Sequence, residues 1–283
     1  MTSSVKAVAR EPSEGKRGLR SLFKRSYLAI PYGLFLAMFV VFPLFLIVYY
    51  AFTDKNGGFT FANFIEFFTT TSYISNVLIS IGIACVTTAV CLLIAYPVAY
   101  ILSRFKSARS YILVLLFVMP MWINFVLRAL SLRELLDLLG LLGKTNFLNT
   151  VIGMVYDFLP FMILPLYTTL IKMDRSLEEA SADLGANGVT TFFKITLPLS
   201  VPGIVSGAMM VFLPSMSCYV ITDTFGNGKI PLIGKLIESM FGTAANWNMG
   251  SALAIVMLLI MFITMLVSGG FKGDKTISRG NAL

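Results

Sequence analysis

Histidine is absent from the 283 residues, which removes the commonest general base and most imidazole-ligated metal sites. Cys85, Cys91 and Cys218 lie in apolar stretches without metal or redox spacing, so they read as packing residues. Gly143-Lys144-Thr145 ends like a phosphate-binding P-loop. That loop needs a glycine five residues before Gly143, and the position holds Leu138. No nucleotide site, metal site or covalent catalyst is expected, and no cofactor. Two other features can do chemistry. One is the charged, glycine-punctuated segment 178–204, EEASADLGANGVTTFFKITLPLSVPGI, which suits docking against another protein. The other is Asp157, a carboxylate inside an apolar run.

The first feature reads as two short helices. Ser176 is placed to cap a helix whose first turn carries Glu178 and Glu179, an arrangement that also suits the helix dipole. Gly185 is a natural stop because glycine reaches positive φ cheaply. Thr190 and Thr191 start a second helix with Phe192, Phe193 and Ile195 on its apolar side, and Leu197-Pro198 is expected to end it. Small residues such as Ala180 and Ser181 leave room for another protein to approach.

An ionised carboxylate at mid-membrane costs about 2.5–3.5 kcal/mol, so Asp157 must face a cavity or a partner. On a cation pathway it would offset lost hydration of an ammonium group, with Tyr156, Trp122 and Tyr219 adding cation–π contacts. The alternative is a pair with Arg128 or a position near the lipid headgroups. Asp223, Glu134, Asp137 and Glu238 fall near the outer ends of apolar stretches. They suit receiving a cation, contacting a binding protein, or plain solvation.

The elements that position these residues follow from composition. The chain is 57% hydrophobic and 13% charged, with a mean hydropathy of +0.83. Runs free of Asp, Glu, Lys and Arg cover 26–53, 67–103, 110–127, 195–222 and 239–271. A helix needs about 20 apolar residues to cross a bilayer. With 150–171, broken only by Asp157, six spans are predicted at about 28–50, 76–102, 110–130, 150–171, 201–222 and 247–269.

Cationic residues set the orientation. Lys6, Arg10, Lys16, Arg17, Arg20, Lys24, Arg25, Arg104, Lys106, Arg109, Lys172, Arg175, Lys194, Lys272, Lys275 and Arg279 share one side. Lys55, Arg128, Arg133, Lys144, Lys229 and Lys235 fall on the other. Both termini are therefore expected in the cytoplasm, and the net charge of +8 reflects topology, not a nucleic-acid surface. The polar tail 1–27 is expected to be disordered and the first span retained rather than cleaved. The stretch 132–149 is expected along the membrane surface. Pro97, Pro120, Pro160, Pro165 and Pro214 imply kinks. Gly203 and Gly207 permit close helix approach, within this chain or at a subunit interface.

The docking segment resembles the EAA loop of permeases from binding-protein-dependent ATP-binding-cassette importers, EAA-x3-G-x9-I-x-LP. Glu179-Ala180-Ser181, Gly185, Ile195, Leu197 and Pro198 occupy the fixed positions, with Ser181 replacing the third alanine. The resemblance implies an all-α integral membrane protein with the type I (MetI-like) permease fold. Residues 1–27 would form a cytoplasmic tail, 28–71 the first span and an outer loop, 72–270 the permease core, and 271–283 a second cytoplasmic tail. Residues 176–192 would be the coupling helix that sits in an ATPase groove. It further implies a bacterial cytoplasmic membrane, ATP-binding cassette ATPase subunits, a second homologous permease and an extracytoplasmic substrate-binding protein. The stretches 159–174 and 218–241 are similar to permeases of spermidine/putrescine importers, in particular the first of the two paired permeases. Importers of iron, thiamine or a phosphonate, and an ion-coupled transporter acting alone, are the alternatives.

Overall fold

The computed structural model describes residues 29–105, 108–142 and 145–268. The tails 1–27 and 271–283, Lys106 and the Gly143-Lys144 pair lie outside these residues. The chain divides into two compact units after Tyr49. The first holds α1 (Ala29–Leu36), a π-helical turn (Ala37–Val41) and most of α2 (Phe42–Ala51). These form the apolar stretch Ile30–Ala51, long enough to cross a membrane.

The second unit contains α3 (Ala62–Thr69), α4 (Thr71–Arg104), α5 (Ala108–Val118), a 3₁₀ turn (Met119–Trp122), α6 (Phe125–Leu138) and α7 (Asn146–Leu170). It continues through α8 (Ser176–Asp183), α9 (Gly188–Thr191), a π turn (Phe192–Thr196), α10 (Leu197–Ser217), α11 (Tyr219–Phe225), α12 (Ile233–Phe241) and α13 (Trp247–Val267). Among the described residues no strand forms beyond an isolated bridge between Thr53 and Phe59.

Among the described residues five helical stretches are long and apolar enough to span: Ile30–Ala51, Thr71–Arg104, Asn146–Leu170, Gly188–Ser217 and Trp247–Val267. The sixth expected span, 110–130, is not one straight helix. Tyr111–Trp122 and Phe125–Leu138 meet at 97°. Pro120 has no N–H to continue the α5 ladder. Ile123 is extended, and the Asn124 side chain accepts from the N–H of Val126 (2.9 Å) and Leu127 (3.4 Å), starting a new helix in a new direction. In contrast, α4 continues through Pro97, α7 through Pro160 and Pro165, and α10 through Pro202 and Pro214.

The centre of this unit is α4 against α7 and α10. Cys91, Ala95, Ala99, Met162, Ile163, Leu166 and Val211 are buried together there. Cys91 packs as expected, whereas Cys85 is exposed. Lipid tails are as apolar as leucine, so close contact must hold such helices together. The two glycines of α10 provide it against α7. A Cβ at Gly203 would lie 2.7 Å from Thr169 Oγ1, and one at Gly207 2.7 Å from Met162 Sδ. The pair therefore packs within the chain.

A tighter contact joins α12 to α10. A Cβ at Gly234 would lie 2.1 Å from the Ser217 carbonyl oxygen. Nearby, Ser80 Oγ on α4 accepts the Ile233 N–H at 2.8 Å and so caps α12. Gly234→Ala is expected to destabilise the protein by about 1–3 kcal/mol through overpacking. Gly82→Ala, where a Cβ meets nothing within 4 Å, should be neutral or stabilising. Thermal unfolding in detergent compares the two; equal midpoints would contradict this packing.

Candidate functional site

The segment 178–204 begins as two short helices, with different caps from those expected. Asp174 Oδ1, not Ser176, accepts the first free N–H, that of Ser176, at 3.0 Å. That hydrogen bond holds the Asp174 carboxyl below its ordinary pKa. α8 ends at Gly185 with φ +80°. Ala186 N–H reaches Ser181 O at 3.0 Å and Gly185 N–H reaches Ala182 O at 2.9 Å, the paired bonds of a Schellman motif. Asn187, not Thr190 or Thr191, caps α9 by accepting the Thr190 N–H at 2.8 Å.

Leu197-Pro198 does not end the second helix. The chain runs helically from Gly188 to Ser217. The π turn Phe192–Thr196 absorbs the proline, and the Leu197 N–H bonds to Phe192 O, five residues back.

The motif residues face in different directions. Glu179, Ala180 and Gly185 are exposed, and Pro198 is exposed at the start of α10. Ser181 is buried, and its hydroxyl shares a 2.9 Å hydrogen bond with Thr191 that ties α8 to α9. It braces the loop from inside and offers no outer docking surface. Ile195 and Leu197 are half-buried. Leu184, Val189 and Phe193 add exposed apolar area, with Leu184 at 89%.

Glu178, which the sequence reading passed over in favour of Glu179, joins the loop to the spans. Its two carboxylate oxygens pair with both terminal nitrogens of Arg104, the last residue of α4. Thr196 Oγ1 donates to Glu178 Oε1 at 3.0 Å. Arg175 Nη2 donates to the Ser103 and Arg104 carbonyls, both at 3.2 Å. Arg104 and then Thr196 hold the Glu178 carboxyl below its ordinary pKa, against the effect of partial burial. Phe192 packs edge-on against Tyr96 (5.6 Å) and Tyr100 (5.9 Å), reinforcing the same junction. Arg104 closing a charge-free run was the signal available in the sequence.

A second constellation lies where α6, α7, α10 and α11 meet. A cavity of about 470 Å³ is lined by Met121, Phe125, Arg128, Asp157, Phe158, Phe161, Pro214, Ser217, Cys218, Tyr219 and Val220. The bend before α6 turns Arg128 back towards α7. Its Nε donates to Asp157 Oδ1, Nη1 to Pro120 O at 2.8 Å, and Nη2 to Asp157 O at 3.4 Å. The two side chains are 7% and 2% exposed. Burial of this kind favours a pair only when hydrogen bonds satisfy both charges. Asp157 Oδ2 is buried and has no hydrogen-bond partner among the described residues.

The expected aromatic residues divide. Tyr219 lines the cavity. Tyr156 instead lies beside Arg128, whose Cζ is 5.7 Å from its ring centre. Trp122, at 83% exposed, does not line the cavity. Phe125, Phe158 and Phe161 line it without having been singled out from the sequence. Asp223 pairs with Lys235 at 2.9 Å, and Glu238 with the same ammonium at 3.3 Å. Asp223 and then Glu238 raise the Lys235 pKa above its ordinary value.

Residues 92–271 match the family described as binding-protein-dependent transport system inner membrane component. The chain belongs to this family. The matched region begins within α4 and contains both the loop and the cavity. Among other inner membrane components, the spermidine/putrescine transport system permease protein PotB of Haemophilus influenzae is 33% identical over 282 residues. That match covers 92% of this chain and 97% of the relative. The protein of the same name from Escherichia coli is 33% identical over 210 residues, covering 69% and 76%. The fold of this inner membrane component is also similar to that in a crystal structure of a bacterial alginate ABC transporter, in complex with an alginate pentasaccharide-bound periplasmic protein. The TM-score is 0.67 at 14% identity, covering 90% of this chain and 97% of that one. A second structure, of a bacterial ABC transporter that imports alginate, gives 0.65 at 14% identity, covering 89% and 96%. At that identity the likeness carries the permease fold alone.

Proposed function

We propose that this inner membrane component is the translocating subunit of an ATP-driven polyamine importer. The observation that carries the proposal is the 33% identity to a spermidine/putrescine permease over 97% of that protein's length. An aromatic-walled cavity with the second Asp157 oxygen on its lining supports it, because a protonated polyamine needs both a hydrogen-bond acceptor and an apolar wall. The subunit performs no covalent chemistry; ATP is hydrolysed by partner ATPase subunits. A second homologous permease and an extracytoplasmic binding protein complete the assembly. Residues 72–270 form its permease core, with residues 1–27 and 271–283 as tails on the cytoplasmic side.

Coupling runs through the loop at 176–192. ATP binding closes the ATPase pair and moves the exposed face that carries Glu179, Ala180 and Gly185. Ser181 holds α8 against α9, so the two helices move together. Ile195, Leu197 and Pro198 pass the displacement into α10. The bundle then switches between inward-open and outward-open states as packed, bistable elements do. In the cavity Asp157 offers Oδ2 to the ammonium group, with Tyr219 beside it. Asp223 receives the cation earlier on its path. Tyr156 supports Arg128, and Trp122 lies outside the cavity.

Reconstitution with the ATPase, second permease and binding protein tests the proposal. ATP-dependent uptake of labelled spermidine or putrescine is expected. Gradient-driven flux without the ATPase would favour an ion-coupled transporter, and uptake of iron, thiamine or a phosphonate in place of polyamine would reassign the cargo. Gly185→Asp should leave the protein in the membrane and lower uptake per ATP about tenfold, equivalent to about 1.4 kcal/mol of coupling. Unchanged uptake by that variant would remove Gly185 from the coupling path.

A further inference from the structure

Lys235 sits in a cage made for a primary ammonium. Asp223 and Glu238 hold its Nζ at 2.9 and 3.3 Å, and the Tyr219 ring centre lies 5.3 Å away. Two carboxylates and one aromatic face give charge compensation and a cation–π contact around a single –NH₃⁺ group. The lysine side chain is a four-carbon stem ending in that group. A polyamine ends in the same chemistry, a primary ammonium on a short alkyl chain.

The cage adjoins the cavity. Tyr219 is shared, since it contacts Lys235 and also lines the 470 Å³ space that reaches Asp157. Asp223 is one helical turn beyond Tyr219 on α11, so the two side chains lie on one face. On the lining of the same space Asp157 Oδ2, on a side chain 2% exposed, has no hydrogen bond among the described residues. A carboxylate oxygen in that condition is a place for a donor to arrive.

The chain's own cations hold these two places differently. Arg128 is buried and bonded to three acceptors, Asp157 Oδ1, Asp157 O and Pro120 O. Displacing it would strand a charge. Lys235 and its two partners have side chains 36–43% exposed. Exposed pairs of this kind contribute little, so a cation from outside can compete for the same acceptors.

We propose that Asp223, Glu238 and Tyr219 form an entry site for the primary ammonium end of the cargo, and that Lys235 is a tethered competitor that occupies it until cargo arrives. The proposal rests on the polyamine reading above. Cargo displaces Lys235, passes the Tyr219 ring and reaches Asp157 Oδ2 without displacing Arg128.

The test is putrescine binding to the assembled importer, with the binding protein omitted, followed by titration calorimetry. Lys235→Met keeps the length of the stem and removes the charge. It should tighten the Kd about three- to fivefold, the scale expected of one exposed ion pair and one cation–π contact. Lys235→Arg retains a competing cation and should leave the Kd near that of the unaltered protein. Asp223→Asn with Glu238→Gln should weaken binding. ATP-driven polyamine uptake by the unaltered importer is measured alongside. Polyamine uptake with one Kd across all four proteins would overturn the entry site alone. Absence of polyamine uptake would overturn the functional reading, and the entry site with it.

Discussion

Arg128→Met should destabilise the protein by about 3–5 kcal/mol, the usual cost of leaving one partner of a buried ion pair unpaired. Asp157 would then be a carboxylate 2% exposed with neither oxygen bonded to a side chain. The same change releases Pro120 O, so the 97° bend loses the bond that spans it, and α6 loses its two bonds to Asp157 of α7. Asp157→Asn is expected to cost less, because the Arg128 guanidinium keeps the Pro120 and residue-157 carbonyls as acceptors. The double change Arg128→Met with Asp157→Leu should recover most of the stability, since well-packed apolar groups often replace a buried pair without loss. It should not recover transport, because the carboxylate on the cavity lining is gone. Thermal unfolding in detergent reports the first effect and ATP-driven uptake the second. An Arg128→Met protein as stable as the unaltered one would show that the pair does not hold the bend.

Glu178→Gln is expected to lower ATP-driven uptake about five- to thirtyfold while ATPase activity persists. The glutamine keeps a hydrogen bond for Thr196 but loses the two-point charge pairing with Arg104, a change on the order of 1–2 kcal/mol at a half-buried site. Arg104→Lys should not restore it, because an ammonium cannot reproduce the planar two-point contact. Glu179→Gln acts on a different link. Glu179 is exposed, so its loss should weaken ATPase docking and leave the loop attached to α4. Co-purification of the ATPase separates the two variants: retained with Glu178→Gln, reduced with Glu179→Gln. Failure of Glu178→Gln to lower uptake would remove the Arg104 contact from the transmission path. The pH dependence has a definite sign. The folded-state pKa of Glu178 is depressed, so the pair is intact above the ordinary glutamate value and is lost only as pH falls through the depressed one. Coupling should therefore be level across neutral pH.

Much of the fold was legible because lipid imposes a local rule. A backbone with no water around it must bond within its own helix, so each span is written as one long apolar run. Five of the expected spans are helices of that kind. The sixth is a pair of helices bent by 97°, for a reason that is also local: Pro120 and the cap at Asn124 break the run, and hydropathy alone does not register a break. The caps of the 176–192 loop were misplaced by a few residues. Asp174 and Asn187 do what Ser176 and Thr190 were expected to do, and all four side-chain types can cap.

By itself the sequence determined the membrane class, the EAA spacing, the Gly185 stop and the presence of a carboxylate that needed a partner. Which partner it took, and which glutamate faces inward, only the tertiary structure decided. Arg128 and Asp157 are 29 positions apart, and Arg104 and Glu178 are 74 apart. No local pattern encodes either distance. Glu178 and Glu179 are neighbours on a helix with 3.6 residues per turn, so they point about 100° apart. The docking of α8 against the end of α4 turns Glu178 towards Arg104 and leaves Glu179 facing outward. Span length depends on the solvent around one segment, whereas the direction of a side chain depends on what packs against it.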